Sequence, residues 1–262
     1  HIDFNNRILS LLKNHNLKNF LRNSFIQKMF FLHNRFFVFK ELKEIQKSKN
    51  WGFYEKILKE DSVGNPIRYF LYLKSSGNRI NHVYHLYKLT TKTGIDFKKN
   101  IRNIFEFGSG YGCMPRIFSK INRNIKYTSF DTAYVNLLQY YYLKHNNLDA
   151  GFSKKNQFYL TSNLSGKIKS NDLFIANWSL SETPIFFREK FFKVINRSRY
   201  ILISFQEYFE DINNLKYFNK LKKRLNNSFE IRIEKNEYYK GNIFNNQNHY
   251  FLIGKKLKSD FR

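Results

Sequence analysis

The residues of this chain that could do chemistry concentrate between Ile104 and Glu182. The segment Ile104-Phe105-Glu106-Phe107-Gly108-Ser109-Gly110-Tyr111-Gly112 is an apolar run carrying one acid, followed by three glycines at alternate positions. A turn this sharp needs positive φ at some positions, and missing Cβ atoms let a ligand approach the backbone. About 20 residues on, Lys126-Tyr127-Thr128-Ser129-Phe130 reads as a strand ending in Asp131. An acid there accepts hydrogen bonds from both ribose hydroxyls of a nucleoside. It also suits the cap of the next helix, and the two roles are compatible. Asp172-Leu173-Phe174-Ile175-Ala176-Asn177-Trp178-Ser179 reads as a later strand, the fourth, emerging into polar residues, the place where ligands sit in a doubly wound sheet.

The kind of nucleoside follows from the glycine spacing. A dinucleotide fingerprint wants a third glycine three residues after the second, and Cys113 stands there. A methyl donor fits better, with Glu106 facing its methionine end. The expected cofactor is S-adenosyl-L-methionine. Its expected contacts are Glu106, Gly108, Ser109, Gly110, Tyr111, Gly112 and Asp131, with Ser162, Asn177 and Trp178 at later strand ends. The competing reading is a glycine-rich turn with no ligand.

These positions imply the elements that hold them. From Ile101 onward strands and helices alternate, which predicts an α/β fold with a mostly parallel, Rossmann-like sheet of seven strands covered on both faces. Met114, Ile117, Phe118 and Ile121 mark the core face of the first sheet helix; Tyr134, Leu137, Leu138 and Tyr141 mark that of the second. Further strands are expected at Gln157–Leu160, Leu173–Ala176 and Tyr200–Phe205, with a closing pair at Glu230–Glu234 and Tyr250–Ile253. Helices are expected around Phe186–Val194 and Ile212–Leu225. Residues 1–100 read as a mainly helical cap on the acceptor side, with breaks at Val63-Gly64-Asn65-Pro66 and Ser75-Ser76-Gly77-Asn78. Residues 101–262 then form the cofactor-binding domain.

Composition narrows the class. A hydrophobic fraction of 42% with 19% aromatics excludes wholesale disorder. The single cysteine, Cys113, leaves no internal disulfide and fits a reducing, cytoplasmic compartment. The apolar stretch from Met29 to Phe39 is broken by His33, Asn34 and Arg35 and is too short to span a membrane. The first residue is His1 instead of Met, so further residues, and any targeting signal, are expected upstream. The net charge of +26 invites a polyanionic partner, nucleic acid included. Yet the excess is spread along the chain, and its longest cluster, Lys222-Lys223-Arg224, reads as a solvated helix face. Abundant Lys, Asn, Ile, Phe and Tyr beside three alanines also match an AT-rich coding sequence.

Three segments carry a family resemblance. They are Phe105-Glu106-Phe107-Gly108-Ser109-Gly110-Tyr111-Gly112, Phe130-Asp131 with Leu137-Leu138-Gln139-Tyr140-Tyr141-Tyr142-Leu143, and Asn177-Trp178-Ser179-Leu180-Ser181-Glu182. Together they resemble the bacterial sugar O-methyltransferases of the class I S-adenosylmethionine-dependent superfamily, over roughly residues 50 to 205 and including Glu60 to Pro66. The resemblance implies a sugar hydroxyl as acceptor, in a polysaccharide or glycan precursor. Thr132-Ala133 stands where the family has Leu-Pro.

A sugar hydroxyl must lose its proton as it attacks, to a base or a metal-bound state. Asn177, Trp178 and Ser179 occupy the strand end where metal-dependent enzymes place acids, so no metal site is expected. An Asn/Asp-Pro-Pro-Tyr motif for amino-group methylation is absent, and Cys113 sits in the cofactor loop, a poor place for the nucleophile of cytosine methylation. The candidate catalytic residues are Glu182 and His85, with His82 beside them. Glu182 could instead cap the next helix or pair with Arg188, and His85 could be a half-buried histidine among Tyr84, Leu86 and Tyr87. The alternatives to a sugar enzyme are an RNA- or protein-directed methyltransferase and a catalytically silent protein that only binds the cofactor.

Overall fold

The computed structural model describes residues 2–13, 17–29, 36–164, 170–240 and 247–257. It divides into two compact units, His1–Tyr87 with Ser109–Leu164, and Lys88–Gly108 with Ser165–Arg262. In the apolar stretch from Met29 to Phe39, residues 30–35 lie outside the described residues. Among the described residues no helix is long and apolar enough to cross a membrane.

The N-terminal region is helical where apolar residues recur at helical spacing. Helices α1 (Ile2–Lys13), α2 (Ser24–Met29), α3 (Phe36–Gln46) and α4 (Trp51–Leu58) bury Ile8, Ile26, Val38, Leu42, Ile45, Tyr54, Ile57 and Leu58. The predicted break at Val63–Pro66 is a turn with Gly64 at φ 79° and Asn65 at φ 52°. It leads into an antiparallel hairpin, Arg68–Tyr69 with Tyr72–Ser76, that the sequence reading did not anticipate. Helix α5 (Gly77–Thr93) follows. It buries Ile80, Val83, Tyr84, Leu86 and Leu89, and with them the polar Asn78, Arg79, Asn81 and His85. Helix α6 (Phe97–Asn100) starts where Asp96 accepts hydrogen bonds from the Lys98 and Lys99 amides.

Alternation begins there. Strand β1 (Asn103–Phe107) leads to α7 (Cys113–Ile121), and β2 (Lys126–Phe130) leads to α8 (Ala133–His145). Next come β3 (Ala150–Gly151), β4 (Phe158–Thr161) and β5 (Asn171–Asn177). Short helices α9 (Ile185–Glu189) and α10 (Phe192–Asn196) replace the single helix expected around Phe186–Val194. Strand β6 (Ser198–Gln206), helix α11 (Asn214–Leu225), β7 (Phe229–Lys240) and β8 (Asn248–Lys256) complete the chain.

The sheet has eight strands in the order β7-β8-β6-β5-β1-β2-β4-β3. Pairs β1·β5, β5·β6, β2·β4 and β3·β4 are parallel, while β8 runs antiparallel to both β6 and β7. The expectation of seven strands is thus corrected. The extra one is the two-residue edge strand Ala150–Gly151, too short to show any periodicity. A Cβ on Gly151 would come within 2.4 Å of Asn156 Oδ1, so a larger residue at that edge would have to displace the Asn156 side chain.

The core face of α8 also differs from expectation. Val135, Leu138, Gln139, Tyr142 and Leu143 are buried, whereas Leu137 is exposed. The buried stripe includes Asn136 and Gln139, polar residues that disguised it. Gln139 Nε2 donates to Ser129 Oγ on β2 at 3.2 Å, which satisfies the nitrogen of its buried amide.

Candidate functional site

In the first unit the glycine turn is anchored to the end of β2. The Gly110 amide donates to Asp131 Oδ2 at 3.0 Å, and the Thr132 amide donates to Asp131 Oδ1 at 2.8 Å. The Asp131 amide in turn donates to the Thr161 carbonyl at the end of β4. Asp131 is half-buried, and burial pushes its carboxyl up to about 6 against the lowering effect of the Thr132 and Gly110 amides. A carboxylate offers about four lone-pair sites, so two remain after these bonds.

Gly110 and Gly112 hold φ of 55° and 100°, left-handed values that cost other residues about 1–2 kcal/mol. Gly112 starts α7, and a Cβ there would press on Gln139 Cγ at 3.0 Å. Ser109 is buried, and its Oγ has no hydrogen-bond partner among the described residues. The Tyr111 ring is buried edge-to-face against Phe20 and Tyr142, and its hydroxyl accepts from Asn78 Nδ2 at 2.9 Å. Ser162 is exposed just past β4.

Asn78 joins this loop to the histidines of α5. Its carbonyl lies 2.8 Å from His82 Nδ1. That contact requires a proton on Nδ1 and leaves the lone pair on Nε2. Burial pulls His82 down to about 4, so the ring is neutral at pH 7. The His85 ring lies 6.2 Å away and is fully enclosed, whereas His82 retains some exposed surface.

Beside the histidines runs a charged network that the sequence did not disclose. Arg79, fully buried on α5, pairs with Glu60 at 2.8 Å and with Asp61 at 2.9 Å. Arg116 on α7 grips Asp61 through two nitrogens, at 2.7 and 3.0 Å, and Lys120 approaches it at 3.2 Å. Hydrogen bonding from Arg116 and the surrounding cations hold the Asp61 carboxyl far below the usual carboxylate range, outweighing burial. Burial and the neighbouring Arg79 and Arg116 bring Lys120 down to about 8, with Asp61 opposing.

In the second unit Glu106 is buried on β1, and Gly108 holds φ of 72°. A Cβ on Gly108 would collide with Ser179 Cβ at 2.1 Å, and Ser179 Oγ donates to the Phe107 carbonyl. Trp178 has a positive φ of 59°, rare for a bulky residue. Its amide donates to Ser204 at 2.8 Å and its ring meets His249 edge-to-face. Asn177 Oδ1 accepts from Ser204 Oγ at 3.4 Å.

Glu182 stands at the end of the single turn Ser179–Glu182 and accepts from Gln206 Nε2 at 3.4 Å. Its surface remains exposed, yet crowding by protein around the carboxyl raises it above the ordinary value, with Gln206 opposing. Gln206 Oε1 also accepts from Ser181 Oγ at 2.7 Å. Arg188 holds this turn from inside. It donates to the carbonyls of Ser181 and Thr183 and to Asn214 Oδ1, at 2.6 to 2.7 Å, and lies over the Tyr217 ring. Those contacts, instead of a pair with Glu182, occupy the guanidinium. Sequence reasoning missed Arg188, Gln206 and Asn78 as positioning residues. Only Asn78 had a visible signal, four residues before His82 on one helix face.

Among the described residues no cluster of histidine, cysteine or carboxylate side chains could hold a metal ion.

No protein-family model matches the chain, and no curated protein matches it. Three solved structures with a similar fold share low identity with it. The methyltransferase domain of bacterial CtHen1 is 12% identical, with a TM-score of 0.45 over 64% of this chain and 97% of that one. The precorrin-6y C5,15-methyltransferase of Geobacter metallireducens is 11% identical, with a TM-score of 0.44 over 66% and 88%. A Pyrococcus horikoshii protein is 14% identical, with a TM-score of 0.47 over 70% and 92%.

Proposed function

We propose that this chain is an S-adenosylmethionine-dependent O-methyltransferase whose acceptor is a sugar hydroxyl of a glycan or glycan precursor. The observation that carries the reading is the glycine turn pinned to an acid at the end of the neighbouring strand, Gly110 amide to Asp131 carboxylate. The cofactor, when bound, supplies a methyl group already activated on a sulfonium centre. Asp131 keeps acceptor sites for ribose hydroxyls, and the partnerless Ser109 Oγ offers a donor and an acceptor within the same turn. Those features fit a nucleoside donor. Glu106, Tyr111, Gly112, Ser162, Asn177 and Trp178 complete the proposed donor contacts, as the order of the elements implies.

The protein's own share of the chemistry is then orientation and proton removal. Of the two histidines, His82 is the better placed: its tautomer is fixed by Asn78 with the Nε2 lone pair free of that bond, and it is partly accessible. His85 is enclosed and suits a packing role beside it. Glu182, hydrogen-bonded by Gln206, is the second candidate for positioning or deprotonating the acceptor. Residues 1–100 serve the acceptor side in this reading.

Two experiments test it. Calorimetry should show that Gly110→Val abolishes cofactor binding, and unchanged binding would refute the loop assignment. Labelled S-adenosylmethionine, offered to glycan extracts, total RNA and protein, should mark the glycans. Label confined to RNA or protein would overturn the sugar acceptor while leaving the donor site intact.

A further inference from the structure

Helix α8 and the edge strand β3 carry a surface that the proposed reaction does not use. Tyr140 (37% exposed) and Phe152 (52%) face solvent with ring centroids 5.5 Å apart and planes tilted by 31°. Leu137, one turn before Tyr140 on α8, is also exposed. Contiguous exposed apolar groups rimmed by polar residues are the form an interaction site takes.

One cation lies against a ring and others are linked to the same turn. Lys144 Nζ lies 6.0 Å from the Tyr140 ring, and Lys126 Nζ reaches the Lys155 carbonyl at 3.3 Å, in the turn that follows Phe152. Arg123, Lys126, Lys144, Lys154 and Lys155 are all exposed. Asp149, three residues before Phe152, accepts from Asn156 Nδ2 and the Gln157 amide, each at 2.8 Å. Those two hydrogen bonds, with Lys144 and Lys126 adding to them, hold its carboxyl below the ordinary value.

The polar side chains here are occupied by the fold itself. Asn156 Oδ1 accepts from the Ser153 amide and its Nδ2 serves Asp149, while Gln157 Nε2 donates to the Arg123 carbonyl. Reading a polyhydroxylated chain needs free donors and acceptors. Exposed aromatic faces and ammonium groups are the complement of bases and phosphates. Along α8, Tyr140 lies about 10 Å and Lys144 about 16 Å from the helix start that follows Asp131.

We infer that Tyr140, Phe152 and the lysines around them form a docking platform for single-stranded nucleic acid, with bases stacked on the rings and phosphates on Lys126, Lys144, Lys154 and Lys155. The inference does not depend on what the donor site does. Anisotropy of a fluorescein-labelled oligouridylate of about 12 nucleotides tests it without any cofactor. Binding should weaken as salt rises. Tyr140→Ala and Phe152→Ala should each weaken it roughly five- to a hundred-fold, whereas Tyr140→Phe, which keeps the ring, should bind like the parent chain. Lys144→Glu with Lys155→Glu should weaken binding and flatten its salt dependence. Both rings are exposed, and thermal unfolding of each variant checks that the fold is unaltered. Binding that survives the two alanine substitutions would overturn the inference. So would a labelled acidic polysaccharide that loses affinity in Phe152→Ala while the oligouridylate does not, since the surface would then belong to a glycan.

Discussion

The Gly110 amide and the Asp131 carboxylate, 21 residues apart in sequence, meet at 3.0 Å, so one side chain both shapes the glycine turn and waits at the end of β2. Loop and acid are therefore a single device. Asp131→Ala should weaken cofactor binding by roughly 1–3 kcal/mol, the scale of a lost hydrogen bond to a charged group. Native affinity by calorimetry would reduce Asp131 to a turn anchor.

The pH dependence of that binding follows from the same carboxyl. Its folded value of about 6 lies above the ordinary 3.8, so between these values the native state holds more protons than the unfolded chain. Asp131 therefore contributes stability below pH 4 that is lost as pH rises through 6. Ribose hydroxyls bonded to the ionised form would pull the value back down. Affinity for S-adenosylhomocysteine should rise with pH up to about 6 and then level off, and Asp131→Asn should show no such rise. A flat profile in the parent chain would show that Asp131 does not face the nucleoside.

Gly108 and Gly94 separate backbone strain from crowding. Both have positive φ, 72° and 67°, but a Cβ on Gly94 meets nothing within 4 Å while one on Gly108 strikes Ser179. Gly94→Ala should cost about 1–2 kcal/mol of unfolding free energy, the price of the left-handed backbone alone. Gly108→Ala should cost about 1–3 kcal/mol more, because Ser179 must move and its bond to Phe107 is lost. Equal urea midpoints for the two variants would contradict the crowding.

Arg188 should resist conservative exchange. Its fork serves two carbonyls and Asn214 in different directions, which a lysine ammonium cannot match. Arg188→Lys should destabilise by about 2 kcal/mol or more, with buried carbonyls left unpaired. It should also lower the affinity of any ligand that touches Glu182. Full stability in chemical unfolding would rule out the bracing role.

Lys120 gives a second titration of known sign. With a folded value near 8 against the ordinary 10.5, the native state holds fewer protons than the unfolded chain between these values. Stability should therefore rise with pH over that window. Comparing the parent chain with Lys120→Met isolates the effect from the tyrosines, and matching slopes would place Lys120 in open solvent.

The glycine turn, Asp131 and most of the sheet could be read from the sequence because each depends on local pattern. Strand β2, for example, spans the residues expected of it, Lys126 to Phe130. Long-range pairing could not be read. Asp61 and Arg116 stand 55 residues apart and Arg188 and Asn214 stand 26 apart, and neither pair leaves a periodic trace. The face of α8 was misjudged because its outer side carries Leu137 and Tyr140, which look like core, while Gln139 is buried. In chains this rich in tyrosine and phenylalanine, hydrophobic identity alone does not mark the inside.

The position of β8 has a consequence for how the molecule is made. It is synthesised last of the described strands, yet it inserts between β6 and β7 and pairs with both. Until it emerges from the ribosome, the β6 edge, with Ile201, Leu202, Ile203 and Phe205, has no neighbour on that side. Open apolar edges of this kind recruit strands from other chains. The nascent protein thus passes through a window in which six of the eight strands have their place while the β6 edge and β7 stand open, and a chain stopped before Asn248 stays in that window.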